Sequence, residues 1–451
     1  MAKNARNGAL YILNRLDKKD ETLDRILEDY FNKHSFSDRR EISLLYAIVF
    51  GVLRWRARLD WIIESFSKIK LRKIDAKVLN VLRIGLFQIV YLDRIPTSAA
   101  VNTSVELAKS IAPFWVVNFV NALLRKAAKS YHNVVFPDFK TRPVDSLTAN
   151  QSFPKWLIKR WVSRFGPNEA KALCEAINKI PPITLRVNTL KTTREKLICD
   201  IKCEVKTLQR ASISDCGIHA FGMEKTLAQT NAFKKGLFQV QDEAAQLVTM
   251  FLNPKPGEDV LDACAGLGGK SGHIAQCMKN KGRLVTIDKN HEKTQDLALE
   301  LKRLGFTNIT PLVYDLNKPI KGLSPNIFDR VLLDAPCSGL GVLRRNPDAK
   351  WKPKKKKLNS FHHSQRAFLE NISSFVKPNG IIVYCVCSME PEENDEVVLS
   401  FLEKHKEFKI DEAPKKFPKK APYIIDDKGY LRTFPHLHHM DGFFAVRLRR
   451  L

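Results

Sequence analysis

The chain has no run of apolar residues approaching the ~20 that a bilayer-crossing helix needs, which argues against a helical membrane span. It also has no Cys-x-x-Cys pair. Cys385-x-Cys387 and the histidines His436, His438 and His439 therefore lack the spacing that marks a zinc site, the histidines read as surface residues, and no metal is expected. Nine cysteines are an odd number, against a fully paired disulfide framework. No apolar stretch follows Met1-Ala2-Lys3-Asn4-Ala5-Arg6, so that opening does not read as a secretory signal, and reduced thiols in the cytoplasm are expected. No internal repeat is visible. Acidic residues are scarce, with 48 Asp and Glu against 75 Lys and Arg and a formal net charge of +27. Acidic residues would serve solubility at least as well, so a basic excess of this size points to a polyanionic partner, nucleic acid foremost.

What is present reads as a multidomain protein. With 451 residues, 44% of them apolar, the chain is long enough for two or three domains with real cores. Residues 1–140 read as an all-α bundle: Ala9, Leu10, Ile12, Leu13 and Leu16 fall at helical spacing, as do Leu44, Leu45, Ile48, Val49 and Val52, and then Val78, Leu82, Leu86 and Ile89. Asp38 followed by Glu41 resembles a capping box opening the second of these helices. Two further helices are expected around residues 100–110 and 114–129, after the break at Pro96. Arg54, Arg56, Arg58, Arg72, Lys73 and Arg125 are expected on the surface of this bundle. Pro137, Pro143 and Pro154 punctuate an irregular linker, and residues 150–235 read as a small α+β adapter with a helix near Trp156 and a strand over Ile183–Asn188. From residue 236 to 451 short apolar runs alternate with helical stretches. The runs Asp259–Cys264, Arg283–Asp288, Asn308–Val313, Phe328–Asp334 and Gly380–Cys385 predict a parallel sheet in an α/β, Rossmann-like domain, with added antiparallel strands over residues 423–448. The lysine runs Lys352–Lys357 and Lys415–Lys420 read equally well as solvated loops or as polyanion contacts.

Chemistry concentrates in three loops of this last domain. Asp262-Ala263-Cys264-Ala265-Gly266-Leu267-Gly268-Gly269-Lys270 follows the first strand and opens a helix, where glycines let the backbone approach a ligand. Asp288 ends the second strand, where a carboxylate can accept both hydroxyls of a ribose, and Asp315 follows the third at the edge where open parallel sheets bind ligands. The spacing is not the Gly-x-Gly-x-x-Gly of dinucleotide enzymes, which favours S-adenosyl-L-methionine. The other two loops each carry a cysteine. Cys337 lies in Asp334-Ala335-Pro336-Cys337-Ser338-Gly339, and Cys387 in Cys385-Val386-Cys387-Ser388, ahead of Glu392-Glu393-Asn394. A methyl group can be placed on a pyrimidine carbon only after a nucleophile has added to the ring, and a thiolate is the usual side chain for that step. A second thiol gives the ring a partner for release.

These motifs together resemble the RNA 5-methylcytosine methyltransferases of the Nol1/Nop2/Sun family. Gly236–Ala244 and Leu185-Arg186-Val187-Asn188 resemble further segments of it, while Ala100-Val101-Asn102 and Phe119–Arg125 are similar to the RNA-binding factor NusB. The resemblance implies a class I methyltransferase domain, S-adenosyl-L-methionine as methyl donor, and small-subunit (16S) ribosomal RNA as partner, with no membrane and a monomeric enzyme. It implies that Cys387 adds to carbon 6 of a flipped cytosine, that Asp334 bonds ring nitrogen 3 and the amino group, and that Cys337 assists release. Cofactor contacts would come from Cys264, Ala265, Gly266, Leu267, Gly268, Gly269, Lys270, Asp288, Asp315 and Asp334. Two departures stand out: Leu267 replaces a usual proline, and Val386 a usual threonine. The Pro336-Cys337 dipeptide also resembles the nucleophile of DNA cytosine methyltransferases, which would reverse the two cysteine roles. A transfer RNA methyltransferase and a non-catalytic RNA-binding factor are the remaining alternatives.

Overall fold

The structure, a computed structural model, describes residues 4–18, 21–34, 36, 38–223, 226–320, 322–352, 355–418 and 424–451. Both lysine runs lie partly outside the described residues. The chain forms two compact units, Met1–Lys179 with Leu343–Lys352, and Ile180–Val342 with Pro353–Leu451.

The first unit is helical. Ala5–Lys18, Leu23–Lys33, Arg39–Phe66, Ala76–Tyr91, Thr97–Lys109 and Phe114–Ser130 pack around buried Leu13, Ile48, Val52, Leu82, Leu86, Val120 and Leu124. Three shorter helices follow, Pro143–Asn150, Lys155–Phe165 and Pro167–Asn178, so the expected linker contains a helix that starts on Pro143. The expected capping box forms only by half. Asp38 Oδ1 accepts from the Arg40 N–H at 2.7 Å, but Glu41 turns away and accepts from the Ala5 N–H at 2.6 Å, placing a carboxylate at the start of the first helix instead.

The helix Arg39–Phe66 breaks at Trp55 (φ −109°, ψ 16°). A break of this kind leaves carbonyls and N–H groups without their helical partners, and buried backbone groups must find others. Trp351 Nε1 donates to the Leu53 carbonyl at 2.6 Å, Lys350 Nζ to the Arg54 carbonyl at 3.3 Å, and the Ala57 N–H to Ser152 Oγ at 2.9 Å. The plug for a helix near the N-terminus thus comes from Leu343–Lys352, some 300 residues later in the sequence. Arg54, expected on the surface, is buried here and donates to the Arg344 carbonyl at 2.6 Å. Lys350 is buried as well; its ammonium also meets Asn178 Oδ1 at 2.8 Å and lies 3.7 Å from the centre of the Phe153 ring. Burial pushes its pKa well below the ordinary lysine value.

The second unit holds two sheets. The smaller has strands β1 (Ile183–Val187), β2 (Val205–Arg210), β3 (Gly217–Met223) and β4 (Phe238–Val240), all antiparallel, in the order β2-β3-β1-β4. The larger has β5 (Asp259–Ala263), β6 (Arg283–Asp288), β7 (Ile309–Val313), β8 (Phe328–Asp334), β9 (Val376–Val386), β10 (Phe408–Ile410), β11 (Leu431–Thr433) and β12 (Phe443–Arg450). Its order is β10-β12-β9-β8-β5-β6-β7, with β11 paired to β12. The strands β5 to β9 are parallel, and β12 runs antiparallel to β9, β10 and β11. The strand order reverses at β5, whose neighbours are β6 and β8, and a crevice opens at such a switch point beyond the carboxyl ends of the strands. Among the described residues no helix is long and apolar enough to cross a membrane.

Removing the plug should destabilise the helical unit. Lys350→Ala leaves the Arg54 and Ser152 carbonyls and Asn178 Oδ1 without this donor and is expected to cost about 2–4 kcal/mol, read as a lower urea midpoint with unchanged slope; a midpoint equal to wild type would show that the break is satisfied without it.

Candidate active site

The glycine loop leaves β5 at Ala263. Cys264 takes a left-handed φ of 65°, which a residue with a Cβ rarely adopts outside functional sites, and the loop then turns through Gly266 (φ 57°) and Gly268 (φ 80°) into the helix Gly269–Cys277. A Cβ added at Gly266 or Gly269 would meet nothing within 4 Å, so this backbone borders open space. Leu267 stands out at 59% exposure. The Gly266 N–H donates to Asp288 Oδ2 at 2.9 Å, tying the loop to the end of β6, and Asp288 Oδ1 accepts from the Asn290 N–H. Asp315, beyond β7, accepts from the N–H and side chain of Asn317.

From below, the loop is held by Arg186 on β1. This buried guanidinium donates to the Gly269 carbonyl at 2.8 Å, to Gln241 Oε1 at 2.5 Å and to Gln239 Oε1 at 2.7 Å. The two glutamines in turn donate to the Gly269 and Gly268 carbonyls. Burial among these neutral acceptors lowers the Arg186 pKa to about 10, still charged at neutral pH. Asp262, at the end of β5, is buried too. Its Oδ2 accepts from Ser271 Oγ at 2.6 Å, while Oδ1 has no hydrogen-bond partner. Burial pushes this carboxyl up to about 7, against the Ser271 bond, with the Asp334 and Asp288 charges adding to the rise.

The two cysteine loops leave neighbouring strands. In the β8–β9 pairing Asp334 lies opposite Cys385, so residues some 50 positions apart end side by side at one sheet edge. Cys337 Sγ and Cys387 Sγ are 3.3 Å apart. Lys270, which could have been an ordinary helix-surface lysine, is instead 11% exposed and its ammonium contacts Asp334 Oδ2 at 2.5 Å; the Cys385 thiol donates to Asp334 Oδ1 at 3.4 Å. Burial opposes the charged form of Lys270, but Asp334 and the thiols of Cys385 and Cys387 outweigh it and hold the pKa above the usual lysine value. Cys337 is shifted the other way for a nucleophile. Its hydrogen bond with Cys387, then burial, then the Cys387 and Glu393 charges raise its pKa well above the ordinary thiol range, so it persists as a thiol. The Cys387 carbonyl accepts from the Gly341 N–H at 3.0 Å, an approach that only glycine permits: a Cβ there would sit 1.8 Å from the Gly442 carbonyl oxygen.

The structure thus brings Cys337, Cys387, Asp334 and Lys270 into one cluster, with the glycine loop beside it through Lys270. Sequence reasoning passed over Arg186 as a support, and over Ser338, Ser388 and Glu393. The signal available was a repeated Cys-Ser dipeptide, Cys337-Ser338 and Cys387-Ser388. Among the described residues no cluster of three or more His, Cys, Asp or Glu side chains could hold a metal ion.

Two measurements probe these supports. Arg186→Met removes the donor to the Gln239 and Gln241 side-chain oxygens and one of two donors to the Gly269 carbonyl, and should cost about 2–4 kcal/mol in urea unfolding; an unchanged midpoint would deny the support. Asp262 has a folded-state pKa of about 7 against about 3.9 unfolded. The folded state therefore holds the extra proton between those values, and stability falls as pH rises through that window. Asp262→Asn should remove this loss, gaining on wild type by up to about 1.4 kcal/mol per pH unit between pH 4 and 7; parallel profiles would refute the shift.

Three family models match the chain: one described as 16S rRNA methyltransferase RsmB/F over residues 249–449, one as the NusB family over residues 3–129, and one as the ferredoxin-like domain of RsmF/B-like methyltransferases over residues 153–219. The probable ribosomal RNA small subunit methyltransferase B of Bacillus subtilis is 35% identical over 450 residues, covering 99% of each chain. The protein of the same description from Synechocystis is 34% identical over 455 residues, again with 99% of each chain covered. Among solved structures, PH0851 matches with a TM-score of 0.81 at 27% identity over 100% of both chains. With a NusB domain, a ferredoxin-like adapter and a methyltransferase domain in that order, the chain belongs to the ribosomal RNA small subunit methyltransferase B family.

Proposed function

We propose that this enzyme transfers a methyl group from S-adenosyl-L-methionine to carbon 5 of a cytosine in small-subunit (16S) ribosomal RNA, through a covalent cysteine–pyrimidine intermediate, and that it does so in the cytoplasm as a monomer. Three modules carry this out: residues 1–140 and the basic surface bind RNA, residues 150–235 form the adapter, and residues 236–451 perform catalysis. The observation that carries the reading is the pair of sulfurs 3.3 Å apart beside the Lys270–Asp334 ion pair. Paired thiols at one sheet edge suit a reaction in which a ring carbon is attacked and then freed.

The residues present fit the methyl donor. Open space over Gly266 and Gly269 admits a ligand close to the backbone, and Asp288, at the end of β6, would receive the ribose hydroxyls, with Asp315 beyond β7 as a second acid. Cys264–Lys270, Asp288, Asp315 and Asp334 would hold it. When bound, S-adenosyl-L-methionine supplies an electrophilic methyl group.

The protein's own groups supply the rest. The Cys387 thiolate adds to carbon 6 of a cytosine taken out of its stack, leaving carbon 5 electron-rich. Lys270 is the cation beside this cluster, its ammonium paired with Asp334 Oδ2. Asp334, 31% exposed beside Lys270, would hydrogen-bond the ring's nitrogen 3 and amino group, and a proton shared between its carboxyl and nitrogen 3 would neutralise the negative charge that addition of Cys387 puts on the ring. After methyl transfer the carbon 5 proton passes to solvent water, which restores the double bond and expels Cys387 as a thiolate. Cys337, held as a thiol, donates its S–H to that departing sulfur across the 3.3 Å contact. The Cys387-Ser388 motif with its tail through Asn394, which resembles the RNA family, is what favours Cys387, rather than the Pro336-Cys337 cysteine, as the attacking group.

A denaturing gel of wild type, Cys337→Ala and Cys387→Ala, each mixed with S-adenosyl-L-methionine and either small-subunit ribosomal RNA or transfer RNA, tests this. Cys337→Ala should accumulate a covalent adduct with the ribosomal RNA and turn over at least about 100-fold more slowly, while Cys387→Ala should form none. Adduct only in Cys387→Ala would reverse the two roles, and adduct only with transfer RNA would replace the substrate.

A further inference from the structure

We propose that Glu393 is the positioning residue of the thiol pair: its buried carboxylate ties the two cysteine loops together through Ser338 and Ser388, and so sets the distance between Cys337 and Cys387. The proposal rests on the reading of the two cysteines given above. Each serine directly follows its cysteine. Glu393 Oε1 accepts from the Ser338 N–H at 2.6 Å, and Oε2 accepts from Ser338 Oγ at 2.6 Å and from Ser388 Oγ. The two hydroxyls are 3.3 Å apart, the same spacing as the two sulfurs. The loops therefore meet on two rungs, one of hydroxyls and one of thiols, and the carboxylate is fastened across the first.

The clamp is itself braced. Tyr384 on β9 donates from its hydroxyl to the Glu393 carbonyl at 2.6 Å, and Gln365 Nε2 reaches both Glu393 Oε1 at 3.4 Å and the Pro336 carbonyl at 3.0 Å. Glu393 is fully buried, and these donors to its carboxylate are neutral. Burial raises its pKa while the serine and glutamine bonds pull it back. A buried carboxylate with neutral partners is costly compared with an apolar side chain of similar size. Packing alone gives no reason for it, whereas fixing two loops against each other does: reacting groups displaced by about 1 Å can lose 100-fold in rate. Its negative charge also adds to the influences that keep Cys337 protonated.

Two readouts on the full-length protein test the clamp. In the first, diamide oxidises the Cys337 and Cys387 thiols to a disulfide, the two electrons and two protons passing to its azo bond. The linked peptides are quantified by mass spectrometry, without RNA or methyl donor. In the second, kcat and the KM for S-adenosyl-L-methionine are measured on small-subunit ribosomal RNA. Glu393→Ala should slow both cross-linking and kcat by about tenfold or more, with that KM within about twofold. Glu393→Gln, which keeps the length and one acceptor oxygen, should retain at least about a third of the cross-linking rate. Cross-linking at the wild-type rate in Glu393→Ala overturns the proposal. Should that variant lack a cooperative melt, the Ser338→Ala, Ser388→Ala double variant is read in the same way. Slow cross-linking in a protein whose wild type methylates no RNA would uphold the clamp and defeat the proposed substrate instead.

Discussion

Two parallel strands that end side by side govern everything chemical in this molecule. β8 and β9 are neighbours in register, with Asp334 opposite Cys385, and each runs out into a loop carrying a cysteine and a serine. Parallel neighbours need a long crossover, here the helix Lys355–Ser373 and the chain before it, so the two cysteines are necessarily distant in sequence while adjacent in space. Once both strands stop at the same level, the two sulfurs come within 3.3 Å of each other, as do the two hydroxyls, and Asp334 lies beside Cys385. The glycine loop leaves the next strand, β5, at the same edge and delivers Lys270 to Asp334.

A second theme is the use of buried polar groups to fix irregular backbone. Arg186 holds the carbonyl of Gly269, Lys350 and Trp351 take the carbonyls freed by the break at Trp55, and Glu393 takes the donors of two loops. At Trp55 regular hydrogen bonding fails, and side chains remote in sequence replace it. Buried backbone groups demand partners, and long side chains such as Arg, Lys and Glu can reach them where the backbone cannot. The segment Leu343–Lys352 shows how far this goes: it follows Cys337 within a few residues, yet it belongs to the helical unit because it supplies those partners.

Much of the fold was legible. Apolar stripes at helical spacing marked the bundle around Leu13, Ile48, Leu82 and Leu86, and short apolar runs marked β5, β6, β7 and β8, because burial imposes its period on the sequence. The helix Leu23–Lys33, with Leu23, Ile26, Leu27 and Tyr30 at that same spacing, falls inside the expected bundle, whereas Pro143, expected in an irregular linker, starts a helix. The charged residues misled most. Arg54 reads as a surface cation, since most arginines are, yet it is held inside by a partner no local pattern could announce, and Lys270, expected on the cofactor, pairs with Asp334.

The sequence by itself determined the elements, their order, and the chemistry on offer: two thiols, a glycine loop and a run of acids at strand ends. These follow from local periodicity and from residue type, which need no knowledge of what lies nearby. Only the tertiary structure decided which groups meet. It set Cys337 against Cys387, paired Lys270 with Asp334, and joined Glu393 to Ser338 and Ser388. It also gave the two thiols unlike surroundings. The reason is physical: charge, burial and hydrogen bonding act through distances in space, and strand order, not sequence separation, sets those distances here.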